Sequence, residues 1–245
     1  MKTLLAKHRS IRKFRSEPIA PEVLQDMLEA ASRASTCGNM QLYSLIVTQS
    51  RELREALAPC HFNQPMVTQA PCVITVCADV HRFSMWCEQR DAEPCYDNFA
   101  WFLNGATDAL LAAQNLCVEA EAHGLGICYL GTTIYTAEEI LDLPKGVIPV
   151  TTIVVGHPDE SPELTDRLPL DAVVHCEKYH HYTSSEIDEL WAEKETSEET
   201  RRLLEENGLP NLAQIFTRNR YRAEDNLAIS RNYFALLKKQ GFFNN

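Results

Sequence analysis

A short basic segment near the N terminus, residues 8–14 (HRSIRKF), is the first part of the chain that could bind an anion. It contains four possible cations and a hydroxyl, in a chain whose formal net charge is -11. An acidic chain repels anions at long range, so a few converging donors must hold an anionic ligand, and arginine supplies planar, multi-donor hydrogen bonds to phosphate. The segment therefore indicates a phosphate-bearing ligand. The alternative is a solvated basic N terminus.

Four later parts of the chain could complete a site for the same ligand. They are residues 35–41 (STCGNMQ), 63–65 (NQP), 124–131 (GLGICYLG), and 156–158 followed by 166–169 (GHP and DRLP). Together with residues 8–14, this order resembles the nitroreductase family of FMN-dependent oxidoreductases. The most similar branch is that of NAD(P)H-dependent, oxygen-insensitive nitroreductases and flavin reductases with a C-terminal extension. The resemblance spans nearly the whole chain, and its specificity comes from five weak motifs in one order.

The resemblance implies an FMN site with cations at the phosphate, donors along the pyrimidine edge and a backbone N–H near N5. Arg9 and Arg167 would bind the phosphate, helped by His8 and Ser10. Arg12 would reach the N1/O2 edge, where a positive charge stabilises the reduced flavin. Further contacts are implied for Ser35, Thr36, Cys37, Asn39 and Gln41 with the flavin of the other subunit, for Gln64 at the pyrimidine edge, and for Tyr129, Leu130 and Gly131 near N5.

Each of these segments also has an ordinary structural interpretation. Arg12 could form a surface salt bridge with Glu17 or Asp26, worth at most about 1 kcal/mol. Residues 35–41 could simply end a helix and turn, and residues 63–65 would make an unremarkable turn. Residues 124–131 are not a dinucleotide fingerprint, because they lack the third glycine and follow a predicted helix.

One segment departs from the family pattern. Relatives commonly read Lys-Pro-Arg-Leu-Pro where this chain has residues 165–169 (TDRLP). The chain thus lacks one phosphate cation and places Asp166 beside Arg167. Either FMN binds more weakly than is usual in the family, or His8 compensates.

The composition excludes several classes of function. The chain has 245 residues, and 45% hydrophobic residues suffice for a core. With 34 acidic residues against 23 Lys and Arg and no basic stripe, a nucleic-acid partner is not expected. No apolar run approaches the roughly 20 residues that cross a bilayer, so we expect a cytoplasmic protein without a membrane partner. Nine cysteines without a C-x-x-C pair predict reduced thiols, and His175, Cys176, His180 and His181 predict a surface or interface role in preference to a metal site.

The hydrophobic pattern predicts an α+β layered domain. It predicts a helix over residues 20–34, a largely apolar helix over 98–123, and strands over 43–49, 72–78 and 151–156. Capping boxes are predicted at residues 136–139, 183–186 and 196–199, and Gly208 is predicted to end the last helix that these boxes open. The resemblance further implies a nitroreductase-like fold: a central mixed, mostly antiparallel sheet flanked by helices, in an interlocked homodimer.

The last part of the chain has a different composition. Residues 1–176 are predicted to form the FMN-binding core, and residues 177–245 a charged, helical extension of the same domain. The extension has too thin an apolar stripe to fold alone. The resemblance implies that it embraces a partner subunit, and its aromatic residues Tyr221, Tyr233, Phe234, Phe242 and Phe243 would serve as anchors. The alternative is an extension packed on its own subunit.

The function implied by the resemblance is hydride transfer from NAD(P)H to FMN, then from reduced FMN to a nitroaromatic, quinone or flavin acceptor, in a ping-pong scheme without a catalytic side chain. Two alternatives stay open. One is a different flavin-dependent reductase on the same scaffold, such as a reductive dehalogenase, and the other is a non-catalytic flavin-binding protein. The physiological acceptor and the choice between NADPH and NADH stay open too, although Arg218, Arg220 and Arg222 could meet a 2′-phosphate.

Overall fold

The structure is a computed structural model that describes residues 2–132 and 137–243. The α-helices are α1 (Lys2–Leu5), α2 (Pro21–Ser32), α3 (Arg51–Leu57), α4 (Met66–Gln69), α5 (His81–Glu88), α6 (Phe99–Ala122), α7 (Ala137–Ile140), α8 (Ser184–Thr196), α9 (Glu198–Asn207), α10 (Leu212–Gln214) and α11 (Ala223–Lys239). The strands are β1 (Tyr43–Thr48), β2 (Cys72–Asp79), β3 (Gly126–Leu130) and β4 (Val147–Gly156). Short 3₁₀ turns cover Cys37–Asn39, Ala58–His61 and Leu170–Ala172, and a π-helix covers Ile215–Arg220.

The described residues form two compact units. One contains the residues up to Leu164 together with those from Asn232 onward, and the other is Thr165–Arg231. The chain thus enters the second unit at Thr165 and returns to the first at Asn232, whereas the sequence suggested a single division after residue 176. The assignment of residues 177–245 to a dimer-wrapping extension stays a prediction.

The first unit is built on a four-stranded sheet in the order β1-β2-β4-β3. Its neighbouring strands all pair antiparallel. The sheet is therefore antiparallel throughout its four strands, and Ser10 forms an isolated parallel bridge to Ile127 outside them. Strand β4 begins four residues before the predicted start at Thr151, because Pro149 is accommodated where the register of β2 shifts between Val76 and Cys77.

The apolar helix α6 packs on the sheet at the centre of this unit and covers most of the span predicted for it. Asn98 caps its N terminus by accepting from the Trp101 N–H. Small buried residues of α6, such as Ala109 and Ala113, allow it to lie close to the sheet and to α2. Helix α2 covers most of the helix predicted over residues 20–34. Thiols also serve as small core side chains in the sheet, where burial raises the pKa of the Cys77 thiol to about 12.

The helices of the second unit begin largely at the predicted caps. Thr183 and Glu186 form a complete capping box, and Gly208 ends α9 in the left-handed conformation at φ 62°. The box predicted at residues 196–199 is wrong. Ser197 is the N-cap there, because the Thr196 hydroxyl still belongs to α8 and donates to the Ala192 carbonyl at 2.7 Å. The box predicted at residues 136–139 lies partly outside the described residues.

The C-terminal aromatic residues correct one expectation. Phe242 was predicted to anchor a partner subunit, but it is fully buried in the first unit, 5.6 Å from Phe102. Tyr233 also contacts Phe102, and Phe243 stacks on Phe99 at 6.1 Å. The aromatic end of α11 therefore completes the core around the start of α6 in its own chain.

Across the described ranges, no helix combines the length and the apolar character that crossing a bilayer requires.

Candidate functional site

The basic segment near the N terminus lies against the start of β3. Ser10 bridges to Ile127, and the Ile11 N–H donates to the Ile127 carbonyl at 2.9 Å. Gly126 permits this approach, because a Cβ at that position would lie 2.6 Å from Ile11. Ile11 is buried, so the side chains of Ser10 and Arg12 project to the opposite side of the extended segment.

The second half of the segment is tied to the end of β4. The N–H groups of Arg12 and Lys13 both donate to Oε1 of Glu160, at 2.6 and 3.1 Å, and Phe14 bridges to Pro158. The Arg12 guanidinium is left exposed. Its alternative partner Asp26 lies 3.2 Å from His123 instead, and no salt bridge to Arg12 is found among the described residues.

Arg9 and His8 differ in what their side chains contact. Nε of Arg9 is buried and has no hydrogen-bond partner within the described ranges. Nδ1 of His8 lies 2.5 Å from Oε1 of Glu121, a carboxylate that is only 12% exposed. Arg9 thus keeps an unused buried donor, whereas His8 is held by an acid, so its predicted help at a phosphate would require it to share that contact.

The turn that carries Gln64 is held by a buried histidine. Phe62 and Asn63 both have φ 54°, and the Gln64 N–H donates to the His61 carbonyl at 3.1 Å. His61 is 1% exposed, and its Nδ1 lies 2.9 Å from the Thr132 hydroxyl. Burial lowers the pKa of His61 to about 4, so the ring is neutral at pH 7. Oε1 of Gln64 is buried without a partner in the described part of the chain.

The residues predicted to lie near flavin N5 are at the end of β3. Leu130 is buried, so only its backbone could reach a ligand, whereas Gly131 is exposed and faces open space. The Tyr129 hydroxyl lies 3.4 Å from Oε1 of Gln114, and burial raises the pKa of Tyr129. Because Thr132 follows Gly131 directly, the contact with His61 fixes this end of β3 against the Gln64 turn.

Residues 35–41 form an exposed loop between α2 and β1. The backbone is left-handed at Gly38, Asn39 and Gln41, with φ between 55° and 57°. Ser35, Asn39 and Gln41 are exposed, as is Cys37, while Thr36 is half-buried. The loop therefore exposes polar side chains, and their contact with the flavin of the other subunit, which the resemblance implies, stays a prediction.

Arg167 lies in the second unit and folds back on its own segment. Its Nη1 donates to the Thr165 hydroxyl at 2.6 Å and to the Asp166 carbonyl at 2.8 Å. The Asp166 carboxylate binds Nζ of Lys194 through both oxygens, at 2.9 and 3.0 Å. The acid noted in the sequence is thus paired with a lysine 28 positions later along the chain. The joint binding of a phosphate by Arg9 and Arg167 stays a prediction.

The basic cluster considered for coenzyme binding is partly occupied. Arg222 lies 2.8 Å from Asp225 and 2.9 Å from Glu224, while the Arg220 guanidinium lies 5.5 Å from the centre of the Phe216 ring. Arg222 is therefore the least available of the three arginines for a 2′-phosphate.

The residues of the first unit fit a phosphate-bearing flavin at two points. Arg9 offers a buried cationic donor. The resemblance implied that Gln64 donates to the pyrimidine edge, but its buried atom without a partner among the described residues is the amide oxygen, which can accept from the N3–H. Both belong to segments fixed on β3, one at its start through Ile127 and one at its end through Thr132. Strand β3 therefore connects the segment of Arg9, which could donate to a phosphate, with the turn of Gln64, which could accept from the flavin ring.

Sequence reasoning missed three residues that shape these segments. His61 fixes the Gln64 turn, and Asp108 and Arg82 bind the backbone of residues 37–43. Asp108 carried a usable signal, because it is a lone acid on the buried face of an apolar helix. His61 and Arg82 had none, since the Thr132 hydroxyl that contacts His61 and the Gln41 and Tyr43 carbonyls that contact Arg82 are distant in sequence.

Comparison with known proteins identifies the family of this chain. The sequence profile of the nitroreductase family matches residues 5–157. An NADPH-dependent oxidoreductase of Staphylococcus aureus (strain USA300) is 36% identical over 184 residues, which cover 72% of this chain and 73% of the relative. A crystal structure is known for a Bacteroides fragilis NCTC 9343 protein that has been assigned as an oxidoreductase. That protein shares 48% identity and a TM-score of 0.97 with this chain, with 99% of this chain and 100% of that chain covered. The NADPH:FMN oxidoreductase of Vibrio harveyi, solved with NAD+, shares 26% identity and a TM-score of 0.80, with 100% and 99% covered. The chain belongs to the nitroreductase family.

Proposed function

We propose that this protein is an FMN-dependent oxidoreductase that takes hydride from NAD(P)H and passes it to nitroaromatic, quinone or flavin acceptors in two half-reactions. The observation that carries the proposal is the assembly of Arg9 and Gln64 on β3, each with a buried polar atom that lacks a partner among the described residues. The names of the Staphylococcus aureus and Vibrio harveyi relatives support NADPH and FMN as the partners of this chain.

Each residue has a role in this proposal. Arg9 and Ser10 would bind the phosphate, and Arg167 is expected to contribute a further cation. Gln64 would orient the pyrimidine edge, and Gly131 would supply a backbone N–H for N5. Arg12 would hold a positive charge for the N1/O2 edge, which would stabilise the negative charge of a reduced flavin. FMN, when bound, supplies the hydride-accepting and hydride-donating chemistry, and the side chains hold and tune it.

The flavin content of the purified protein tests the proposal. We expect a yellow protein with about one FMN per subunit, identified by acid extraction and chromatography. Arg9→Ala and Gln64→Ala should retain less FMN than the parent. Arg15→Ala is a matched control, because Arg15 directly follows the same segment, is exposed, and is 3.9 Å from Asp159. Colourless protein that cannot be loaded, or FAD in place of FMN, would overturn the proposal.

A second measurement separates the proposed enzyme from the alternatives on the same scaffold. Anaerobic addition of NADPH or NADH should bleach the bound chromophore, and a nitroaromatic or quinone should restore the colour. A flavin that neither coenzyme reduces would point to a non-catalytic flavin-binding protein. A flavin that is reduced but passes electrons only to halogenated substrates would point to a reductive dehalogenase.

We also propose a homodimer. Helix α6 buries one face in the core, yet four of its large apolar residues are 44% to 55% exposed. They are Phe99, Leu103, Leu110 and Leu111. An exposed apolar stripe on a central helix is typical of a subunit interface.

A further inference from the structure

The loop formed by residues 35–41 has a backbone that needs external support. Asn39 and Gln41 adopt left-handed conformations, with φ 57° and 55°, which non-glycine residues rarely adopt. Within the loop, the Met40 N–H donates to the Cys37 carbonyl at 2.9 Å. Met40 packs on the core, but the side chains of Asn39 and Gln41 are exposed, so apolar packing does not fix their directions.

Asp108 binds this loop from the protein interior. It projects from α6, is 2% exposed, and uses both carboxylate oxygens. Oδ1 accepts from the Cys37 N–H at 2.9 Å, and Oδ2 accepts from the Leu42 N–H at 3.1 Å. One carboxylate thus joins the two ends of the loop. A buried carboxylate is costly unless such bonds satisfy it, so its contacts are specific.

Arg82 binds the same region from the outer side. Its Nη2 donates to the carbonyls of Gln41 and Tyr43, at 2.6 and 3.1 Å. Asp79, only 8% exposed in its side chain, holds Nη1 of Arg82 at 3.3 Å. The Asp79 N–H also donates to the Leu42 carbonyl at 3.0 Å. The end of the loop is therefore held through its N–H groups on one side and its carbonyls on the other.

We infer that Asp108 and Arg82 are positioning residues for the flavin-contacting loop, and that they set the directions of the Asn39 and Gln41 side chains. The inference deepens the proposed function and rests on it for the identity of the ligand. Aspartate is required at residue 108 because both of its oxygens accept. Asparagine has nearly the same shape but would present an NH₂ group to one of the two backbone N–H groups.

Hydrogen exchange of the flavin-free protein tests the structural part of the inference. Asp108→Asn and Arg82→Gln should each speed amide exchange in peptides that cover residues 36–43, by about tenfold or more for the amides that lose their order. Glu138→Gln is the matched control, because Glu138 is also a buried carboxylate of the first unit and binds Lys239 at 3.3 Å. Unchanged exchange at residues 36–43 in both loop variants would overturn the inference.

Flavin binding tests the functional part with a readout that general destabilisation would not give. Both loop variants should raise the FMN dissociation constant by about tenfold and alter the visible circular dichroism of the bound flavin. Arg82→Gln is informative even if Asp108→Asn folds poorly, because the Arg82 side chain is 57% exposed. If the parent protein binds no flavin, the proposed function fails while the exchange experiment still tests positioning. If the parent binds FMN and both variants keep its affinity and dichroism, the positioning role fails alone.

Discussion

Two arginines assigned to the same ligand are held in different ways. The backbone of Arg12 is fixed by Glu160 while its guanidinium is exposed, and Arg167 is folded back on Thr165 and Asp166. The side chain of Arg12 is thus ready to act at a ring edge, whereas Arg167 must exchange local contacts for a phosphate. Their effects on reactivity and on affinity should therefore separate.

Arg12→Ala should slow flavin reduction by NAD(P)H more than it weakens FMN binding, because its charge acts on the N1/O2 edge. Arg167→Ala should raise the FMN dissociation constant about tenfold to a hundredfold, as expected for the loss of a charge-assisted hydrogen bond, with a smaller effect on the reduction rate. Stopped-flow reduction and FMN titration measure the two quantities. Equal effects of both variants on both quantities would show that the roles are wrongly assigned.

The unusual Thr165–Asp166 pair gives a second prediction. Thr165→Lys should tighten FMN binding by about 0.5 to 2 kcal/mol, because it adds a cation and frees Arg167 from the Thr165 hydroxyl. The gain should shrink at high salt, since an exposed charge is screened. Titration of the apoprotein at two salt concentrations measures it. No gain at either concentration would mean that a cation already serves this side, and Lys194, which binds Asp166, is then a stronger candidate than His8.

His61 should make stability depend on pH. Burial lowers its pKa to about 4 from 6.5, so the unfolded chain binds the proton more readily than the folded one. The contribution of the neutral ring is fully present above about pH 6.5 and is lost as the pH falls toward 4, a change of about 3 kcal/mol. Urea unfolding at several pH values should show a flatter profile for His61→Gln. The exposed His181→Gln should keep the parent profile, and equal flattening in both would contradict the assignment.

At the scale of elements, the helices and strands that depend on local residue pattern could be predicted from the sequence. Helix α6 could be located because apolar residues fill most of its length, and β2 because β-branched residues and thiols form one buried run. The anchoring of Ser10 to β3 could not be predicted, since it depends on a hydrogen bond between residues more than 110 positions apart and on Gly126. The roles of His61 and Arg82 were hidden for the same reason.

The aromatic end of α11 shows why composition alone misassigned a surface. Tyr233, Phe242 and Phe243 were expected to contact a partner because the charged extension looked too thin to bury them. The chain instead returns to the first unit, where Phe242 has no exposed surface. The partner for this aromatic cluster is therefore the start of α6, which no periodicity in the extension could reveal.

This placement predicts that two phenylalanines near the C terminus, Phe242 and Phe234, contribute very differently to the free energy of unfolding. Phe242→Ala should lower the free energy of unfolding by about 3 to 5 kcal/mol, because it leaves a cavity in the core beside Phe102. Phe234→Ala should cost about 1 kcal/mol or less, since Phe234 is 55% exposed and stacks only on Phe243 within the described residues. Urea denaturation of both variants measures the difference. Similar losses would mean that Phe242 is less tightly packed than the structure shows.

At the scale of the whole molecule, the loop of residues 35–41 has exposed polar side chains. The family resemblance directs this loop to the flavin of a second subunit. A monomer would then lack part of its site, so assembly and flavin retention should be linked.

The exposed stripe of α6 allows a direct test of that link. Leu103→Glu and Leu110→Glu place charges at positions 55% and 46% exposed, one heptad apart, where they leave the buried face of the helix intact. If this stripe forms the subunit interface, burying an unpaired charge there is costly, and the double variant should be a monomer by sedimentation equilibrium at micromolar concentration. It should also lose FMN, because residues 35–41 of a partner would be missing. Leu170→Glu is the matched control, since Leu170 is 74% exposed in the second unit. A parent protein that is already a monomer would refute the dimer, and a monomeric double variant that keeps its FMN would show that each subunit completes its own site.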